Sequence, residues 1–452
     1  MYTNKSIFAL AASAAVLSSC AARPTDTAET AAVTTGQSTS VTTAESTTEI
    51  TADTESETMI SETTADTHTD VLPESPYVKL SEDTVKFYRY WKDKYLKQDP
   101  YSQDETRYYV YYSEESYSQG GEPVAVTVSE AHGYGMLIAA SMYRYDSEAK
   151  DIFDGLYRYY KAHPSSIGPN LMSWQQSDNG SALIDSEGSD SATDGDLDIA
   201  YALLMADEVW GSDGEIDYRK AAVDVINDIM EYEVSREDNI LRLGDWTYGI
   251  EKGNVYYSAT RSSDFIMQYM PVFAKAADDD RWLTVYETTY GIIRDTTEEY
   301  KTGILPDFYV KDEETGKFVP APPDLLESEN DGNYYYNACR TPWRIGMDGI
   351  INKNKDSIAF SKTIDAFIST KTGGDPWQIM AGYTPGGDVV SDWNDLCFDS
   401  PFMITAAAAG NTEWHDSIRE MVLGYGEDVY FGDTITMLCL IIDDGAWIVP
   451  AL

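Results

Sequence analysis

From about residue 76 onward, apolar side chains recur at three- and four-residue intervals, the period of helices that bury one face. The pattern predicts helices over 80–96, 129–146, 147–162, 195–211, 215–232, 263–276, 279–298, 340–353, 355–370, 400–410, 412–424 and 432–444. Period-two alternation is confined to short pieces, such as Tyr108 to Tyr112 and Val124 to Val128. The fold class is therefore all-α. Twelve helices suit a barrel of six inner and six outer helices, and an irregular helical array fits the count equally well.

Upstream, the pattern changes twice. Lys5 is followed by an apolar run from Ile7 to Val16 and then by Leu17-Ser18-Ser19-Cys20-Ala21. The run is too short to span a bilayer and resembles a bacterial lipoprotein signal over residues 1–20, with Cys20 as the acylated residue. Residues 21–75 are dominated by Thr, Ser, Ala, Glu and Asp, a composition that cannot bury enough surface to offset its ordering entropy. This stretch is expected to be a disordered linker that gives reach to an extracellular, cell-surface domain over 76–452, touching the membrane only through the lipid on Cys20.

Seventy-seven acidic against thirty-two basic residues give a formal net charge of −45, which opposes binding to nucleic acid. The same charge attracts a cationic polymer such as chitosan. Beyond Cys20 there remain Cys339, Cys397 and Cys439, an odd number, so three buried thiols are expected rather than a disulfide framework. Four histidines, at 68, 132, 163 and 415, contain no pair with metal-site spacing, and neither a Gly-x-Ser-x-Gly elbow nor a phosphate-cradling glycine loop is present. No cofactor and no metal are expected, and the working unit is expected to be a monomer.

What remains is carboxylates set among aromatic rings, the side chains that supply proton transfer in glycosidic cleavage and flat faces for sugars. In Thr127-Val128-Ser129-Glu130-Ala131-His132-Gly133-Tyr134-Gly135-Met136, Ser129 can cap a helix and Glu130 sits in its first turn, where the helix dipole alone would favour a carboxylate. Gly133 and Gly135 each weaken that helix by roughly 1 kcal/mol relative to alanine, which implies a close approach to its backbone. In Asp190-Ser191-Ala192-Thr193-Asp194-Gly195-Asp196-Leu197-Asp198, the alternating aspartates suggest calcium, but their order does not match an EF-hand loop. Asp194 also reads as the cap of a helix with apolar Leu197, Ala200 and Leu204.

The stretch Ala192 to Ala200, continuing through Ala202, Leu203, Ala206 and Trp210, resembles the signature of glycoside hydrolase family 8. Ser129-Glu130 with Gly133 to Met136, and Arg340-Thr341-Pro342-Trp343-Arg344, are similar to that family's other landmarks, as is Thr260 to Phe265. The resemblance implies an (α/α)6 barrel with an open cleft that hydrolyses β-1,4-linked glucan, mixed-linkage glucan, xylan or chitosan with inversion. It makes Glu130 the general acid and Asp194 the carboxylate holding the central sugar, and it puts Arg340 and Tyr336 at the catalytic centre. Inversion leaves room for water, so acid and base should lie about 6.5–9.5 Å apart.

One position departs from the pattern. Where one branch of the family carries its base Asp, three residues before the arginine, this chain has Asn337, and an amide cannot take a proton from water. Either the barrel is inactive and only binds glycan, or another carboxylate serves. A second branch with Asn at this place takes its base from the preceding loop, here Glu327-Ser328-Glu329-Asn330-Asp331. Glu327 is the first choice and Glu329 the second, with Asn337 orienting the water or Glu327. Trp174, Trp246 and Tyr383 are candidate stacking platforms, each also readable as barrel core. The expected substrate is β-glucan, with chitosan and xylan as alternatives.

Overall fold

The computed structural model describes residues 79–112, 123–426 and 428–452. Cys20, the leader and the linker lie outside these residues. Twelve α-helices occur among the described residues: α1 (Glu82–Tyr95), α2 (Ser129–Ser141), α3 (Ala149–Ala162), α4 (Thr193–Trp210), α5 (Tyr218–Asp228), α6 (Tyr269–Ala277), α7 (Arg281–Tyr300), α8 (Thr341–Ile351), α9 (Lys355–Lys371), α10 (Leu396–Ala409), α11 (Thr412–Gly424) and α12 (Tyr430–Asp443).

Successive helices alternate in character. The even-numbered ones are mostly buried: α2, α4, α8, α10 and α12 have long runs of buried residues, many of them small. The odd-numbered ones are amphipathic, as in α3, where Ile152, Phe153, Leu156, Tyr159 and Tyr160 face inward. Inner helices pack on one another (α2 on α4, α8 on α10, α10 on α12), and α12 returns to α2. This alternation is the (α/α)6 barrel that the helix count allowed, and it removes the irregular array.

The helix boundaries differ from expectation where polar chemistry intervenes. Helix α6 starts only at Tyr269, because Ser262–Asp264 forms a 3-10 turn ahead of it. Helix α10 starts one turn early, at Leu396, where Asp395 accepts a hydrogen bond from the Cys397 N–H, and it carries Pro401 inside. Short antiparallel strands accompany the helices. β1 (Leu96–Gln98) pairs with β2 (Tyr108–Val110). β3 (Val124–Val128), β4 (Gln175–Asp178) and β5 (Leu183–Asp185) form a second sheet, and β6 (Ala259–Arg261), β7 (Phe308–Lys311) and β8 (Phe318–Pro320) a third. The second sheet feeds α2, and the third sets Arg261 opposite Phe308. Cys339, Cys397 and Cys439 are buried and form no disulfide among the described residues.

Candidate active site

Strand β3 runs without a break into α2, so Glu130 is the second residue of the helix. Val128, not Ser129, occupies the N-cap position, and no side chain caps it. The glycines explain the register. A Cβ on Gly133 would sit 2.7 Å from Asp198 Cβ, and one on Gly195 would sit 2.6 Å from the Ser129 carbonyl carbon. The backbones of α2 and α4 therefore touch, which brings Glu130 beside Asp194. Asp194 is not the cap either: Ala192 holds that place, and the Asp194 carboxylate accepts from the Gly195 N–H at 3.0 Å.

Arg340 ties the two carboxylates together. Its Nη1 donates to Glu130 Oε2 at 2.5 Å and to Asp194 Oδ2 at 2.9 Å, while Tyr430 donates to Glu130 Oε1 at 3.1 Å. One turn on, Arg344 donates to both oxygens of Asp198, at 2.9 and 2.5 Å, and Tyr269 donates to the same carboxylate. Four-residue spacing on both partners makes these two ion pairs parallel rungs between α4 and the start of α8. Asp196 turns elsewhere and accepts from the Met172 N–H. The three aspartates thus diverge instead of converging on one point.

Burial pushes the Glu130 carboxyl up to about 7, with Arg340 opposing and Asp194 adding to the rise. Asp194 is more deeply buried, but Arg261 and Arg340 overcome that and hold it down at about 2. Two adjacent carboxyl groups are thereby split, one keeping its proton towards neutral pH and the other staying ionised.

The facing wall is built from loops. Glu327 is half-buried, and its Oε2 accepts from Asn337 Nδ2 at 2.8 Å. The Asn337 amide is fixed in orientation, since its Oδ1 must accept from Arg340 Nη2 at 3.0 Å. Burial raises the Glu327 carboxyl above its usual range, with Arg261 and the Asn337 bond opposing. Two buried aspartates organise the wall. Asp331 accepts from the N–H groups of Leu326, Glu327 and Ser328 at 2.7, 3.0 and 2.9 Å. Asp307 accepts from those of Tyr335, Asn337 and Ala338 at 2.8, 3.2 and 2.7 Å, and burial together with the Glu327 charge pushes it up to about 8. Glu130, Asp194, Glu327, Asn337, Arg340, Tyr336 and Trp174 all line one cleft of about 670 Å³.

Sequence comparison decides the family: the model described as glycosyl hydrolases family 8 matches residues 87–445. The chain belongs to this family. It is 41% identical to a beta-glucanase of Niallia circulans, over 79% of this chain and 83% of that protein. It is 37% identical to an endoglucanase of a Bacillus species, over 82% of this chain and 77% of that protein. Among solved structures, the apo beta-1,3-1,4-glucanase from Paenibacillus sp. X4 superposes with a TM-score of 0.73 at 38% identity, covering 82% of this chain and 96% of that one. A cold-adapted family 8 xylanase at 15% identity and a TM-score of 0.67 shares the fold.

Within this family 8 chain, the candidate residues divide. Glu329 is exposed and does not line the cleft, whereas Glu327 does. Trp174 lines the cleft, its indole donating to the Glu187 carbonyl. Tyr383 does not. It is fully buried, packed among Tyr334 and Phe367 with its hydroxyl accepting from the Met380 N–H, so no sugar can reach it. Trp246 packs in a satellite apolar cluster with Leu243 and Tyr256, outside the cleft lining. Sequence reasoning missed Tyr112, Tyr430, Phe431 and the role of Arg261 in the cleft, and the aspartates Asp307 and Asp331 beneath it. Nothing in spacing or composition marks these two among seventy-seven acids.

Proposed function

We propose that this family 8 protein is an endo-acting β-glucanase that cleaves β-1,4 bonds of cellulose or mixed-linkage β-1,3-1,4-glucan with inversion. The observation that carries the reading is the shared cleft that Glu130 and Glu327 both line, linked by the hydrogen bonds that join Glu130 to Arg340, Arg340 to Asn337 and Asn337 to Glu327. That chain of side chains holds the two carboxyl groups on separate elements of one cleft, an arrangement that suits an acid and a base acting from opposite faces of a sugar. Glu130 protonates the leaving oxygen, and Glu327, steadied by the Asn337 amide, takes the proton from water as it attacks from the other face. Asp194 stays ionised and accepts from sugar hydroxyls, while Trp174, Tyr336 and Phe431 give the chain flat surfaces. The beta-glucanase and endoglucanase relatives support glucan as the polymer. The leader ending at Cys20 supports placing this activity on a bacterial cell surface, tethered by lipid.

The test is release of reducing ends from barley β-glucan, carboxymethyl cellulose, xylan and chitosan, with NMR of the first anomer formed. The expected result is fastest turnover on a β-glucan, with the α-anomer appearing first. Faster turnover of chitosan or xylan, or initial release of the β-anomer, overturns the reading.

A further inference from the structure

Arg261 sits at the end of β6, its side chain only 11% exposed, and it lines the cleft between the two walls. Its contacts are loose for a buried guanidinium. Nη2 is 3.5 Å from Asp194 Oδ1 and 3.3 Å from the Leu243 carbonyl, and Nε is 3.3 Å from Asp264 Oδ1. Among the described residues only Nη2 donates a hydrogen bond; Nε is buried and donates none, and Nη1 has no partner in a side chain that lines the cleft. A guanidinium has five N–H donors and no acceptor, so this one offers the cleft an unused pair of donors beside a carboxylate that Arg340 already occupies.

We infer that Arg261 is a specificity-determining residue: its free N–H edge binds a ring hydroxyl of glucan and its charge excludes the ammonium groups of chitosan. This rests on the glucanase reading of the same cleft. A sugar hydroxyl can accept from Nη1, but a protonated amine has no lone pair to offer and carries the same charge as the arginine. The pull of the carboxylates on an amine is already offset by the positive charge or donor that each one faces. Asp194 lies between Arg261 and Arg340, Glu130 is bonded to Arg340 and Tyr430, and Glu327 is bonded to Asn337. The strongly acidic protein as a whole attracts a polycation, so discrimination against chitosan has to be exercised in the cleft.

Arg261 also acts on the proposed base. The charged groups acting on Glu327 are Arg261 and Arg340, which favour its ionised form, and Asp331 and Asp307, which oppose it, with Arg261 the largest favourable charge. Those facing Arg261 are Asp194, Asp264, Glu327 and Arg340. Removing the guanidinium leaves Glu327 with less compensation, so it holds its proton to higher pH.

The experiment titrates cello-oligosaccharides and chito-oligosaccharides into full-length Glu130→Gln and into the Glu130→Gln/Arg261→Gln double variant, and compares kcat–pH profiles of wild type and Arg261→Gln on β-glucan. The double variant should bind the cello-oligomer about 10- to 100-fold more weakly, the range of a lost charged hydrogen bond, and the chito-oligomer more tightly. The acidic limb of the Arg261→Gln profile should move to higher pH. Arg261→Lys, which keeps the charge without the fork, should leave the limb in place, exclude the chito-oligomer and still lose cello-oligomer affinity; it also serves if the glutamine variant fails to fold. An unchanged ratio of cello- to chito-oligomer binding in a folded variant overturns the inference. Because that ratio is read on inactive protein, it is independent of wild-type turnover of glucan, which tests the reading of function.

Discussion

The two walls of the cleft carry one proposed catalytic carboxylate each, and they are held by different kinds of structure. Glu130 rides on a helix whose register is set by glycine contacts to the next inner helix and by two parallel Arg–Asp rungs. Glu327 rides on a loop held by the carboxylates of Asp331 and Asp307, each collecting three backbone N–H groups. The first wall is an inseparable part of the barrel. The second is a local assembly attached to it, joined through the Asn337 amide and Arg340. The acid should therefore be hard to displace without loss of stability, whereas the base should be movable at little cost to the fold.

The largest effect is expected at the acid. Glu130→Gln should retain the melting temperature and lose roughly 10²–10⁴-fold in turnover. In the wild type, activity should fall as pH rises through about 7, because the raised carboxyl gives up the proton it must donate. A kcat–pH profile with no alkaline limb near 7, or a fully active Glu130→Gln, would remove Glu130 from the role.

A smaller loss of activity is expected when the loop wall is loosened. Asp331→Asn removes an acceptor from the turn that carries Glu327, and turnover should drop about 10- to 100-fold through misplacement of the base. The alkaline limb set by Glu130 should stay where it is, and the melting temperature should change little. A large fall in melting temperature would show that the loop wall is as deeply built into the fold as the helical one.

The smallest effect on turnover, paired with a clear effect on stability, is expected at the helical wall. Gly195→Ala places a methyl against the Ser129 backbone, and overpacking of this kind costs about 1–3 kcal/mol. Thermal melting should register it, while turnover per folded molecule stays within a few-fold of wild type.

The same contrast explains what the sequence carried. The helical wall was readable because its signals are local: periodic apolar positions, short motifs around Glu130, Asp194 and Arg340, and two glycines inside an early helix that implied close backbone approach. Even there the capping roles given to Ser129 and Asp194 failed, since Ser129 is the first residue of its helix and Asp194 the second of its own, with Val128 and Ala192 at the N-cap positions. The loop wall depends on contacts between residues distant in the chain, Asp307 with the 335–338 turn and Arg261 with Asp194, and no periodicity encodes them. Resemblance pointed to Glu327, but only the fold distinguishes it from exposed Glu329 two residues on. Tyr383 failed for a different reason: a large ring reads alike in sequence whether it faces a sugar or another ring, and this one is in the barrel core.

The most direct test of the account is turnover of β-glucan by Glu327→Gln and Glu329→Gln, measured side by side at several pH values. With Glu327 as the base, Glu327→Gln loses roughly 10²–10⁴-fold in kcat with KM largely kept and without its acidic limb, and Glu329→Gln behaves as wild type. Wild-type turnover in Glu327→Gln, or collapse in Glu329→Gln instead, contradicts it.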